Sequence, residues 1–367
     1  MGKNIRSMVV RLYPNKEQKR KLNDCLYVCH ELYNTLLEYC IETHKEGGKH
    51  PSAYDLEKLL PDMKKRDPKL KTVYAQVLCD VCVRLSRAFD GFFRRVKEGP
   101  EHAGFPRFKS WRRYDSFTYT QGGFKLSPNH IRLSPWKMDV KIKGYREMEG
   151  RMKTCTIIRK GAGPHYRWEA AITFETESNN SNEAAIKTVP IVPSRPVGID
   201  MGLRNIVVTS EGKEYPNQRN YIQAERQISN VLRKMSKYEK GSKEREKYRQ
   251  RLFHAFERLR NINKGYIHEV VNDLVDNYDM IVMEDIHTQK LTDKSKSKGM
   301  RKSFRDASWG RFVFTLGYRA AEAGIPLVKA DPAYTSQQCS VCGMMVPKDL
   351  SVRRHQCPHC GLDVDRD

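Results

Sequence analysis

Residues 196–210 read PVGIDMGLRNIVVTS. Two apolar runs flank a turn that contains Gly202, and this pattern predicts a buried β-hairpin whose first strand closes on Asp200. A carboxylate at a position where apolar residues should dominate is costly unless it is partnered, and a divalent cation removes that cost. Residues 278–286, YDMIVMEDI, repeat the pattern: a second buried strand closes on Glu284, and Asp285 is expected on the opposite side of that strand. The sequence then ends CPHCGLDVDRD, with Asp365 and Asp367 directly behind a cysteine pair. Singly, each strand-end acid reads as a cap or turn residue. Three of them in one basic chain form a pattern.

The cysteines divide into two kinds. Cys339, Cys342, Cys357 and Cys360 follow C-x2-C, fourteen residues, C-x2-C. Two such knuckles bring four thiolates around one Zn²⁺, and four protein ligands leave no open position, so the site is structural. The gap is slightly shorter than the usual ribbon spacing. Cys79 and Cys82 also read C-x2-C but lie inside a helical pattern, where buried thiols are expected. The opening residues MGKNIRSMVV lack the apolar stretch of a secretory signal, and reduced thiols fit a cytosolic protein better than a disulfide scaffold.

Of the 367 residues, 67 are Lys or Arg and 44 are Asp or Glu, a formal charge of +23. A surplus of that size repels itself unless a polyanion neutralises it, so nucleic acid is the expected partner. No apolar run is long enough for a membrane span. With 39% hydrophobic and 30% charged residues, the chain reads as globular rather than disordered.

Along the chain, NIRSMVVRLYP (4–14) alternates as a strand. From Glu17 to Cys40 the period turns helical, and a second strong helix runs from Val73 to Val96. GFPRFKSWRRYDS (104–116) interleaves aromatic rings with Arg107, Lys109, Arg112 and Arg113, a composition suited to stacking on bases and gripping phosphates. Short alternating strands follow to about Glu175, and the first strand is expected to join them, which makes the helices an insertion. A polar, proline-punctuated linker comes next. Residues 222–264 are helical with thirteen Lys and Arg against five Glu, among them Arg233, Lys234 and Lys237. Residues 287–306 carry seven more cations and read as a loop. WGRFVFTLGYRAAEAGIPLVKADP (309–332) reads as a helix, a stop at Gly324, and a strand.

The ordered set VVRLYPN, GFPRFKS, VGIDMGLRN, IVMEDI, SQQCSVCG and CPHCGLDVDRD resembles the TnpB family of transposon-encoded, RNA-guided DNA endonucleases, with small type V CRISPR effectors as relatives. Six separated motifs in order make the resemblance specific, and it covers the whole chain. It implies a multidomain, bilobed α+β protein. A wedge-like β-barrel (1–15 and 116–180) holds an inserted helical recognition block (16–115). An RNase H-like α/β RuvC domain (195–330, with basic helices at 222–275) carries a zinc ribbon (331–362) and the start of a third RuvC motif (363–367).

The implied catalytic acids are Asp200, Glu284 and Asp367, the last being the second aspartate of the family's D-R-D-x-N-A-A stretch. The x-N-A-A part is absent here, and the natural chain is expected to continue. The implied chemistry is two-metal phosphodiester hydrolysis. Asp200 would bridge two Mg²⁺ ions, and Glu284 and Asp367 would complete one shell each. Guide RNA from the transposon end, double-stranded target DNA beside a short adjacent motif, a monomeric ribonucleoprotein and a cytoplasmic prokaryotic setting follow from the same resemblance. The alternatives are a nuclease-inactive RNA-guided repressor, a miniature CRISPR effector and, in a different class, a non-guided zinc-ribbon RNA-binding protein.

Overall fold

The computed structural model describes residues 3–99, 103–162, 165–177, 193–285, 299, 303, 307–331, 337–348, 352 and 354–365. The chain forms two compact units, Met1–Ser181 and Asn182–Asp367.

In the first unit, strand β1 (Lys3–Tyr13) leads into helix α1 (Lys16–Lys45). The helix starts where Asn15 accepts from Gln18 N–H and the Gln18 side chain accepts from Asn15 N–H, a reciprocal cap that satisfies two orphan donors. Leu22, Leu26, Leu36 and Leu37 form its buried stripe, with Cys25, Cys29 and Cys40 as small apolar fillers. Helix α2 (Ala53–Arg66) follows with a Ser52–Asp55 cap, and then α3 (Ala75–Glu98). The sequence reading did not anticipate α2. Pro61 lies inside it and Gly47 and Gly48 precede it, so breakers masked a helix that Leu56 and Leu60 bury.

Strands β2 (Ser116–Tyr119), β3 (Phe124–Leu126), β4 (His130–Leu133), β5 (Met138–Lys143), β6 (Arg151–Ala162) and β7 (His165–Glu177) join β1 in one sheet. Its order is β2-β6-β7-β1-β5-β4-β3. β1 therefore sits between β7 and β5, antiparallel to both. The expected closed barrel is not formed: the sheet is open, with β2 and β3 as its edges. Closure would require those two short strands to pair, but the β2 edge is occupied by α3. The Arg84 guanidinium there donates to the Ser116 carbonyl at 2.8 Å and to Thr118 Oγ1 at 2.6 Å. A helix that covers an edge removes the need for a further strand.

The second unit is built on a five-stranded sheet of order β10-β9-β8-β11-β12. Its strands are β8 (Pro196–Asp200), β9 (Asn205–Thr209), β10 (Glu214–Pro216), β11 (Met280–Glu284) and β12 (Leu327–Ala330). β8 and β9 form the antiparallel hairpin expected from PVGIDMGLRNIVVTS, whereas β8, β11 and β12 run parallel. Between β10 and β11 come helices α4 (Asn220–Ser236) and α5 (Lys243–Asn277), and α6 (Trp309–Ala323) precedes β12. Gly324 ends α6 at φ 72°, a left-handed cap that favours glycine.

Val197, Ile199, Ile281 and Met283 form one core with Ile267, Val271 and Leu274 of α5 and Phe312 and Leu316 of α6. The buried residues of α5 all lie between Ile267 and Val275, and α4 buries only Ile228. The rest of this helical pair is a solvated basic hairpin, as its charge predicts. No described helix is long and apolar enough to cross a membrane.

Candidate functional site

Asp200 is the last residue of β8 and Glu284 the last of β11. The two strands are parallel, with Val282 opposite Gly198 and Met283 opposite Ile199. The next rung sets Glu284 beside Asp200, on strands about 4.8 Å apart. Ile199 and Met283 face the core, and side chains alternate along a strand. Both carboxylates therefore belong to the other face, and both are half-buried.

Their place in the topology matters. From β8 the chain proceeds to β9 and β10 on one side and returns to β11 and β12 on the other. Ligands of open α/β sheets sit outside the carboxyl ends of strands at such a switch point. The register is held from the opposite end. There Asp279 accepts from Ser194 N–H (2.8 Å), Ser194 Oγ (2.7 Å) and Arg195 N–H (3.0 Å), immediately before β11 and β8 begin. These donors hold the Asp279 carboxyl below its ordinary range. A slip of one residue would send an acid to the core face.

Asp285 is taken up by Lys329 of β12, whose Nζ lies 2.7 Å from Oδ1. Asp331, directly after β12, is a third strand-end carboxylate on this edge that the sequence reading passed over. Its signal was weaker, because LVKA carries Lys329 and its strand is not buried. Asp367 and most of residues 287–306 lie outside the described residues.

Cys339, Cys342, Cys357 and Cys360 converge, with their sulfurs all within 4.8 Å of one another. Cys339 and Cys360 are 3.6 Å apart and Cys342 and Cys357 3.5 Å, close to the roughly 3.8 Å edge of a tetrahedron with 2.3 Å Zn–S bonds. The two knuckles are built alike. Gly343 N–H donates to the Cys339 carbonyl and Gly361 N–H to the Cys357 carbonyl, each at 2.9 Å. Both glycines have positive φ, 71° and 77°, which turns the chain back toward the ligands. The N–H groups of Cys342 and Val341 lower the Cys339 thiol, while burial and the neighbouring sulfurs raise that of Cys360. Strands β13 (Arg354–Gln356) and β14 (Asp363–Asp365) complete the ribbon as an antiparallel pair. Cys79 and Cys82 remain on α3. Cys82 is buried, and burial pushes its thiol up to about 12.

The aromatic basic loop has two faces. Arg107, Arg112 and Arg113 are exposed, and Phe108 is 57% exposed. Lys109 is turned inward instead. Its N–H donates to Asn34 Oδ1 at 2.9 Å, its carbonyl accepts from Asn34 Nδ2 at 3.0 Å, and its ammonium lies 4.3 Å from the Tyr33 ring centroid. Arg159 stacks 4.3 Å over Trp111 and donates to the Trp111 and Tyr114 carbonyls. The loop is thus pinned between α1 and β6. Asn34→Ala orphans the Lys109 N–H, whereas the Lys109 carbonyl keeps His30 Nε2 at 2.7 Å, and is expected to cost about 1–3 kcal/mol. Urea unfolding followed by tryptophan fluorescence, to which neighbouring Trp111 contributes, measures it.

In the basic hairpin, Arg233, Lys234 and Lys237 are exposed at the end of α4. The turn is locked by Arg245, which donates to the Tyr238 carbonyl at 2.6 Å, and by Tyr238 stacked on Tyr248 at 5.5 Å.

Three family models match in chain order. Residues 1–49 match one described as "Helix-turn-helix domain", 181–295 one described as "Probable transposase" (OrfB_IS605), and 309–367 one described as "Cas12f1-like, TNB domain". The proposed RNA-guided DNA endonuclease InsQ of Escherichia coli (strain K12) is 26% identical over 97% of this chain and 88% of its own length. A proposed RNA-guided DNA endonuclease of Streptomyces pristinaespiralis is 26% identical over 99% and 86%. The chain is similar to the TnpB family along its length. Among solved structures, a Cas12f1–sgRNA–target DNA complex superposes with a TM-score of 0.53 at 15% identity, covering 90% of this chain and 76% of that one, which shows a shared fold. The first model's name does not describe this chain, since residues 3–45 form one strand and one long helix.

Proposed function

We propose that this protein is an RNA-guided DNA endonuclease that hydrolyses target DNA beside a short adjacent motif. The observation that carries the reading is the pair Asp200 and Glu284, side by side at the carboxyl ends of parallel β8 and β11. Two half-buried carboxylates at a sheet switch point fit hard divalent cations such as Mg²⁺. Such ions would supply an activated water and charge neutralisation at the leaving 3′-oxygen. Asp200, at the centre of the sheet, is assigned the shared ligand position, Glu284 one flank, and Asp367 the other. The core strands hold the first two carboxylates in fixed register, so no reorganisation is needed when the phosphate arrives. The four thiolates are assigned one structural Zn²⁺, and soft sulfur against hard oxygen keeps the two kinds of metal apart.

The relatives' names supply the guided-endonuclease reading, and the charge of +23 supports a polyanionic partner. Guide RNA and target DNA are the assigned ligands. The RuvC domain is assigned to residues 195–330, and the helical block that follows β1 is assigned to recognition.

Arg107, Arg112 and Arg113 are assigned phosphate contacts. Neutralising all three is expected to flatten the salt dependence of binding by about 0.7–0.9 log units per contact per decade of salt, equally across target sequences. Lys109→Gln is expected to leave that slope nearly unchanged, because its ammonium lies over tyrosine rings. Salt titrations of the wild type and the two variants decide it; equal slopes for the triple variant and the wild type would move the nucleic-acid path to the α4–α5 hairpin.

A further inference from the structure

The ribbon holds a buried histidine beside its four cysteines. His355 is the middle residue of β13, between exposed Arg354 and Gln356, and is itself only 5% exposed. Strand alternation turns it to the inner side, two residues before Cys357. A buried imidazole has two ring nitrogens to satisfy. Nδ1 meets the Lys348 ammonium. Nε2 is buried as well, and no nitrogen or oxygen among the described residues partners it. A buried polar group without a partner costs about 1–3 kcal/mol.

The contact at Nδ1 decides what Nε2 needs. An ammonium has three donors and no acceptor, so Nδ1 must accept. The ring proton then sits on Nε2, and the buried nitrogen is a donor in search of an acceptor. Around it lies sulfur. Cys339 and Cys357, 2% and 4% exposed, are the other buried side chains of the ribbon among the described residues. A side-chain hydrogen bond from His355 adds to the backbone donors that lower the Cys339 thiol.

Four thiolates around one Zn²⁺ leave a surplus of two negative charges. Water can donate to the exposed Cys342 and Cys360, whereas Cys339 is closed to it, so donors to that sulfur must come from the protein. The four sulfurs already complete the tetrahedron, so the ring meets a ligand and not the metal. We propose that His355 is a positioning residue of the zinc ribbon. Its Nε2–H donates to the Cys339 thiolate, and Lys348 holds the ring in the tautomer that can do so and brings a compensating charge. This rests on the assignment of zinc to the four cysteines.

The test uses the full chain, with Zn²⁺ and Co²⁺ as probes. His355→Phe keeps a ring of similar size in place and removes the donor. It is expected to weaken zinc retention against a chromogenic chelator by about tenfold to a hundredfold. The sulfur-to-cobalt charge-transfer band of the Co²⁺ form is expected to move to longer wavelength, because a sulfur lone pair without its hydrogen bond lies higher in energy. His355→Gln, whose amide N–H reaches about as far as Nε2, should recover most of both. Lys348→Met should give a smaller fall in retention, since the ring can still carry its proton on Nε2. Wild-type retention and spectrum in His355→Phe would overturn the proposal, because the ring would then only fill space. Weaker retention with an unmoved band, or equal losses in the Phe and Gln variants, would assign the effect to packing and overturn it too. Should His355→Phe take up no metal at all, Lys348→Met decides, and wild-type values there for both readouts would refute the pairing. The zinc assignment fails separately. A wild-type chain that holds no zinc sinks that assignment, whereas zinc lost in Cys357→Ser but indifferent to His355→Phe sinks only the role of His355.

Discussion

Asp200→Ala and Glu284→Ala are each expected to lower the rate of guided DNA cleavage by at least about a thousandfold while leaving guide and target affinity within about twofold of wild type. Bound metal supplies several kcal/mol of transition-state stabilisation, and each 1.4 kcal/mol is a factor of ten in rate. Either substitution removes a ligand but no core volume, because the buried side chains of these strands are Val197, Ile199, Ile281 and Met283. Folding and nucleic-acid grip should therefore survive. Asp285→Ala is the internal control. Its carboxylate is engaged by Lys329, so its loss is expected to change cleavage little. The measurement is a time course on supercoiled, guide-matched plasmid, with filter binding on the same preparations. Cleavage at the wild-type rate by either acid variant would refute the metal assignment. Loss of cleavage together with loss of binding would point to a structural role for these acids.

The sequence disclosed this site because the signal is local. An apolar run that ends in an acid states both the strand and its anomaly, and VGID and IVME show that pattern without any neighbour. That the two strands lie side by side, in the register that aligns their last residues, is a non-local fact carried by Asp279, Ser194 and Arg195, ordinary polar residues in the sequence. Helices α1 and α3 were legible for the same local reason, since their buried positions recur every three or four residues. α2 was not, because Pro61 and the preceding glycines read as breakers. Barrel closure was misjudged because it depends on what meets the β2 edge, and Arg84, 32 residues from Ser116, decides that. Composition marked Lys109 as a cation among cations, but Asn34, 75 residues away, turns it inward.

Removing one zinc ligand is expected to have the other large effect. Metal analysis should give about one Zn²⁺ per chain, falling below about 0.2 in Cys357→Ser and staying near one in Cys79→Ser. Structural zinc contributes an apparent 10–16 kcal/mol to folding in small finger peptides. The ribbon depends on it because it has almost no core: Cys339, Cys357 and His355 are its buried side chains among the described residues. Two hairpin-like knuckles, Gly343 and Gly361 at their turns, and the short β13–β14 pair cannot hold such a segment closed by themselves. Cys357→Ser should therefore raise amide exchange across residues 337–365 and leave exchange in β8 and β11 unaltered. The Cys79 pair predicts nothing of the sort. Both thiols lie on helix α3, and among the described residues the one group of three or more candidate metal ligands is the ribbon's four cysteines. Unchanged zinc in Cys357→Ser, or zinc lost from Cys79→Ser, would transfer the metal to the helical block and leave the ribbon without an explanation for its four converging sulfurs.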